Sequence, residues 1–352
     1  MNPFVYQSLP SRVVFGPGSI QKLAEEVERL GAKKVLVLCT PQQRDLATLA
    51  VTHLDAKAVG VFDQAVMHVP IETAMEARKV AEELGADCCL AIGGGSTVGL
   101  GKAIAMTSDL PIIAVPTTFA GSEMTPIFGI TEAGLKKTGR DIRVLPKTVI
   151  YDPELLVTLP PQIAGPSGIN AIAHSVEALY AQDANPIISL MAEESIRALG
   201  RSLPKLVKDP SNIDLISDAL YGAWLAGACL GAVGMAIHHK LCHTLGGTFN
   251  LPHAEMHTIV LPHSVAYNRE AAPEAMVKIA RALGAEDAAR GLYDLAKSLG
   301  VPVALSEIGM PENGLEKAAT LATQNPYFNP RPIEKQAILK LLTDAHTGVR
   351  PQ

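Results

Sequence analysis

Over residues 1–150 the chain alternates short aliphatic runs with segments of helical periodicity, and beyond about residue 155 the strand-like runs stop. This switch limits the fold more than any other feature of the sequence. Lys34–Leu38, Ala58–Phe62, Cys88–Ile92 and Pro111–Val115 have strand length, and Arg44–Leu54 and Ile71–Leu84 between them have helical spacing. Short buried strands joined through helices predict parallel βαβ units with helices on both faces of the sheet. From Pro160 onward the pattern predicts long helices, clearest at Asn170–Gln182, Ile187–Leu199, Ile213–Leu230, Met235–Leu245 and Ala275–Leu283. The expected architecture is a Rossmann-like α/β domain over residues 1–158 and an all-α domain over 159–352. The site is expected in the cleft between them.

Composition removes several classes. A net charge of −5 without a basic stripe argues against nucleic acid as a partner. No run approaches 18 uninterrupted apolar residues, and Met1–Pro10 lacks the basic start and apolar core of a signal peptide, so neither a membrane span nor export is expected. The five cysteines, Cys39, Cys88, Cys89, Cys229 and Cys242, are odd in number and show no CxxC spacing. They read as buried thiols of a cytoplasmic protein.

Two loops at strand ends carry cofactor chemistry. Gly93-Gly94-Gly95-Ser96 directly follows a strand and opens a helix. Glycines let the backbone approach an anion, and the helix N-terminus adds unpaired amides, which suits a dinucleotide pyrophosphate. The run is neither GxGxxG nor a Walker loop. Thr117 and Thr118, with Ser122 shortly after, follow the next strand, where doubly wound sheets bind ligands. Thr40, after the first strand, is uncharged where an acid would exclude the NADP phosphate, so NADH and NADPH are both admitted.

Six of the ten histidines fall between residues 238 and 263. His239 and His243 are four apart and share a helix face, and His253 is expected to return to the same point after a Gly246-Gly247 break. Such density points to proton handling, metal binding or both.

Taken together, the glycine loop, Pro116-Thr117-Thr118 with Gly121-Ser122-Glu123, Asn170 with His174, and His239, His243 and His253 resemble the iron-containing alcohol dehydrogenase superfamily. The match runs in order from about Phe15 to Asn268. Val149-Ile150-Tyr151-Asp152-Pro153, Gly168–His174, His238–Gly247 and Leu251–Glu255 resemble its maleylacetate reductase branch. The resemblance implies a dehydroquinate synthase-like architecture, a homodimer with Phe4–Phe15 at the interface, and NAD(P)H-dependent reduction of the C=C bond of maleylacetate, or of its chlorinated analogue, to 3-oxoadipate in aromatic-compound breakdown. It places the superfamily's metal ligands at Asn170, His174, His239 and His253. Metal-dependent members have aspartate at the first position, so this degenerate set implies a reaction that needs no metal.

His243 is then assigned as proton donor or oxyanion stabiliser, because its family counterpart lies beside the nicotinamide. His174, His239 and His253 are assigned to the substrate oxygens. Asn170, His68, Lys240 and Arg143 are candidates for holding the two carboxylates. For the two cations, a solvated surface charge is the competing reading. A metal-dependent alcohol or polyol dehydrogenase is the alternative function.

Overall fold

The computed structural model describes residues 4, 6–9, 11–132, 135–325 and 327–352, and the chain divides into two compact units. One comprises Ser8–Leu159 and Ser211–Leu220; the other holds Pro160–Pro210 and Tyr221–Gln352, with Met1–Gln7.

The first unit runs β1 (Arg12–Phe15), α1 (Leu23–Arg29), β2 (Val35–Leu38), α2 (Arg44–Leu54), β3 (Ala58–Phe62), α3 (Ile71–Glu83), β4 (Cys88–Gly93), α4 (Gly95–Ser108) and β5 (Ile112–Pro116). An antiparallel hairpin of β6 (Ile127–Glu132) and β7 (Leu135–Arg140) follows, and β8 (Thr148–Tyr151) closes the unit. Six strands form one parallel sheet in the order β1-β8-β5-β4-β2-β3. The expected strands are present within a residue or two. β2, β4 and β5 are buried along their whole length, so they read as continuous apolar runs without alternation.

Of the strands that escaped the sequence reading, β8 is fully buried but short, while β1, β6 and β7 lie where that apolar signal is weak. β1 at the sheet edge buries only Val14 of its four residues. β6 and β7 form their own two-stranded sheet, carrying part of the basic run over 136–143. Phe15 pairs with Tyr151 of its own chain. Of the segment expected at a dimer interface, Arg12–Phe15 is the edge strand of the sheet, paired on one side with β8, and Val5 and Pro10 lie outside the described residues.

The second unit contains α5 (Pro161–Ala178), α6 (Pro186–Leu206), α8 (Ile237–Phe249), α9 (His253–Asn268), α10 (Pro273–Leu283), α11 (Ala288–Ser298), α12 (Leu315–Ala322) and α13 (Lys335–Thr347). The intervening helix, α7 (Ile213–Ala232), is divided between the units at Leu220. By length and hydropathy α7 alone among the described helices could cross a membrane. It carries Asp214 and Asp218, and it packs on α6, with the Ser195 hydroxyl donating to the Gly222 carbonyl at 2.8 Å. A Cβ at Gly222 would lie 2.7 Å from Leu199 and 3.2 Å from two α6 backbone atoms. Those contacts make its apolar character that of a core helix.

Gly168 brings α5 against α6 in the same way: a Cβ there would meet Leu203 at 2.5 Å. Gly246 and Gly247 do not break the chain. They lie inside α8, which ends at Asn250 in the left-handed region (φ 53°), and Gly246 admits Met256 of α9. Gly246 serves close helix packing, Gly247 faces open space, and the turn to His253 comes from Asn250 and Pro252.

Candidate functional site

In the first unit, three loops meet at the carboxyl edge of the sheet. β2 leads outward to β3, and β4 returns on the other side of β2, so the topology switches between β2 and β4, the place where such sheets bind ligands. The Gly93 carbonyl accepts the Thr117 amide at 3.0 Å. Gln43 donates to the Thr117 hydroxyl at 2.7 Å, and the Thr40 hydroxyl donates to Gln43 at 3.2 Å. Thr40, Gly93 and Thr117, predicted separately, thus form one bonded group. Gln43, which links them, carries no motif and was not found from sequence.

The glycines are required by geometry. Gly93 has φ 150°, and a Cβ there would meet Thr97 Oγ1 at 2.5 Å and Gln43 Oε1 at 2.6 Å. A Cβ at Gly94 would meet Thr118 at 3.2 Å, and one at Gly95 would lie 3.9 Å from Ser122 Oγ. Ser96 stands in the first turn of α4, whose leading amides have no intrahelical acceptors. The buried hydroxyls of Thr97 and Ser122 have no protein partner. A backbone cradle that any side chain would fill, lined by unclaimed hydroxyls, fits the pyrophosphate of a dinucleotide.

Lys102 does not reach this cradle. Its ammonium is buried and bonds the carbonyls of Ser122 (2.6 Å), Thr125 (2.8 Å) and Ile127 (2.7 Å), pinning the loop behind Thr118. Burial pulls its pKa down to about 7, against the opposing pull of Glu123. Asp152, within one of the branch motifs, is likewise structural, since it accepts the amides of Gly18, Ile20 and Glu154.

In the second unit, α5, α8 and α9 pack together and bring the histidines into one cluster. His174 Nδ1 lies 2.9 Å from His239 Nε2, and both rings are buried. His239 Nδ1 lies 2.7 Å from Glu177 Oε2. One turn before His174, Asn170 is buried with its Oδ1 unclaimed by any hydrogen bond. His243 is exposed on α8, its ring 6.2 Å from that of His239. His253, half-buried at the start of α9, stands 4.4 Å from the His257 ring, which is 5.2 Å from His239.

Behind these rings lies a dry layer that the sequence did not single out. His238 Nε2 meets His257 Nδ1 at 2.9 Å, and His238 Nδ1 meets the Ser264 hydroxyl at 3.2 Å. Burial, then the neighbouring imidazoles, hold both rings well below the usual histidine range. Cys242 Sγ lies 3.8 Å from His238, and burial pushes its thiol well up, so it is no nucleophile. The other four cysteines are also free and buried.

The remaining candidates have partners of other kinds. Lys240 Nζ stands 5.4 Å over the Tyr327 ring. His68, half-buried with φ 67°, presents its carbonyl to the Thr131 hydroxyl at 2.8 Å and belongs to the first unit. Arg143 is exposed and grips Asp141 with two nitrogens (2.7 and 3.0 Å) while a third reaches Asp109 at 3.3 Å. Two carboxylates thus answer its charge within the first unit.

Comparisons with known proteins identify the family. The signature of iron-containing alcohol dehydrogenases covers residues 10–153, and that of the C-terminal part of the Fe-containing alcohol dehydrogenase family covers 165–346. The chain is 59% identical to a maleylacetate reductase of Burkholderia cepacia, over 100% of both chains. It is 57% identical to one of Sphingobium indicum over 99% of each. The crystal structure of maleylacetate reductase from a Rhizobium strain superposes with a TM-score of 0.96 at 50% identity, covering 100% of both chains. With both signatures matched in order over most of its length, the chain belongs to the iron-containing alcohol dehydrogenase family.

Proposed function

We propose that this protein reduces the carbon–carbon double bond of maleylacetate to 3-oxoadipate, using NADH or NADPH and no metal. The observation that carries the reading is the neutral donor set of Asn170, His174, His239 and His253. It offers a divalent cation no anionic ligand, and His239 Nε2, the lone pair a metal would need, faces the Nδ1 of His174 at 2.9 Å. A buried amide oxygen without a partner beside that pair suits a polar substrate group. The full-length likeness to maleylacetate reductases of several bacteria supports the substrate. A cytoplasmic homodimer belongs to the same reading.

When bound, the reduced nicotinamide supplies the hydride. The chain must then provide donors for the negative charge that develops on the ketone conjugated with the double bond, and a proton for the adjacent carbon. His243, exposed one turn from His239, takes the proton-donor role. His174, His239, His253 and Asn170 hold the substrate oxygens. Lys240 supplies positive charge from the same helix, its ammonium steadied by Tyr327.

The test is turnover of maleylacetate by chelator-stripped protein, read as loss of reduced-nicotinamide absorbance, with wild type beside Asn170→Asp. Full wild-type activity without metal, together with metal uptake gained only in Asn170→Asp, is expected. Wild-type activity that returns only on adding iron or zinc overturns the metal-free mechanism in favour of Lewis-acid catalysis.

A further inference from the structure

We propose that Glu177 is a positioning residue for this reaction: it sets where the protons sit on His239 and, through His239, on His174. The inference rests on the reading of these rings as substrate-binding groups.

Glu177 is fully buried on α5, three residues after His174, with its carboxylate at the N-terminus of α8. Oε1 accepts the His238 amide at 2.7 Å, and Oε2 accepts the Ala236 amide at 2.9 Å and the His239 amide at 3.4 Å. Backbone N–H groups can only donate, so both carboxylate oxygens are committed as acceptors. The imidazole nitrogen 2.7 Å from Oε2, His239 Nδ1, must then be a donor as well. A neutral His239 with its proton on Nδ1 presents a lone pair at Nε2. His174 Nδ1 faces that lone pair at 2.9 Å and must carry a proton in turn.

One carboxylate therefore orders two rings in series. The opposite order would set two lone pairs, or two N–H groups, against each other at one of the contacts. In metal sites, second ligand layers of this kind orient imidazoles toward an ion. Here the same device orients them toward each other, with Asn170 one turn away.

The experiment is nitrogen NMR of the full-length protein with histidine-selective labelling, assigned with single His→Gln variants, alongside steady-state kinetics of Glu177→Gln. Wild type is expected to show Nδ1–H on both His239 and His174. In Glu177→Gln one acceptor oxygen remains where there were two and the NH2 faces backbone donors, so the single Nδ1–H order on His239 is expected to give way to a mixture with Nε2–H. The same variant is expected to lose about 10²–10³-fold in kcat, with KM for the nicotinamide cofactor within about twofold, since that binding is assigned to the backbone cradle of the first unit.

Nε2–H on His239 in the wild type overturns the proposal, as does an unchanged kcat in Glu177→Gln. The wild-type spectrum needs no variant to fold, so poor folding of Glu177→Gln leaves the test intact. Absence of maleylacetate turnover by a wild type with the expected tautomers overturns the substrate reading alone. Full turnover with the opposite tautomers overturns only the role of Glu177.

Discussion

The two units build their sites from different materials. The α/β unit makes its cradle from backbone: Gly93 at φ 150°, the leading amides of α4, and a carbonyl–amide bond from Gly93 to Thr117. The helical unit makes its cluster from side chains, six of them imidazoles, whose behaviour depends on which nitrogen faces which. A backbone site is fixed once the chain path is fixed, and it fails when a Cβ intrudes. A side-chain site keeps its shape through many substitutions but loses its chemistry when a single proton is misplaced.

His243→Ala is the sharpest way to break that contrast. It is expected to lower kcat by about 10²–10⁴-fold and to leave the urea midpoint nearly unchanged, because the ring is exposed. An activity close to wild type would move the proton-donor role to another group. Gly93→Ala attacks the other material. Forcing a Cβ into that conformation costs roughly 1–3 kcal/mol, so the Kd for NADH, measured by fluorescence titration, is expected to rise about tenfold. Unaltered cofactor binding would remove the cradle from the site.

A third prediction separates packing from chemistry within the helical unit. Burial pulls the His263 pKa down to about 4 from an ordinary 6.5. Between those values the unfolded chain binds a proton that the folded chain does not, so stability falls as pH drops through this window. His263→Leu is expected to flatten that limb by about 1.4 kcal/mol per pH unit near pH 5, read from urea midpoints, with kcat unaffected. His238 and His257 shift the same way, so part of the acid slope remains in the variant. An identical slope would show that His263 is already charged in the fold.

The smallest effect is expected from Arg143→Ala, whose pairs with Asp141 and Asp109 are exposed and screened by solvent. KM for maleylacetate should stay within about twofold. A large rise in KM would return Arg143 to the carboxylate contacts.

Legibility in the sequence followed the same division. Gly93 announced itself because only glycine tolerates both that φ and that crowding, so the constraint there is written in residue identity. The buried parallel strands were legible because burial on both faces leaves an uninterrupted apolar run. Gly246-Gly247 misled, because close helix packing and chain reversal both select glycine, and one sequence cannot separate them. Gln43, Lys102 and Glu177 gave no signal. Each acts through partners distant in sequence, such as Thr117, Ile127 and the amides of α8.

The sequence alone therefore determined the parallel sheet, the glycine cradle, the crowd of histidines and the neutral amide at Asn170, since each rests on local pattern or on what one side chain can do. Tertiary structure decided which histidines pair, that Arg143 is already answered by two carboxylates, and that Glu177 orders the His239–His174 pair. A hydrogen bond needs two groups within about 3 Å, and only the packing of α5, α8 and α9 brings residues 174, 177 and 239 to that distance.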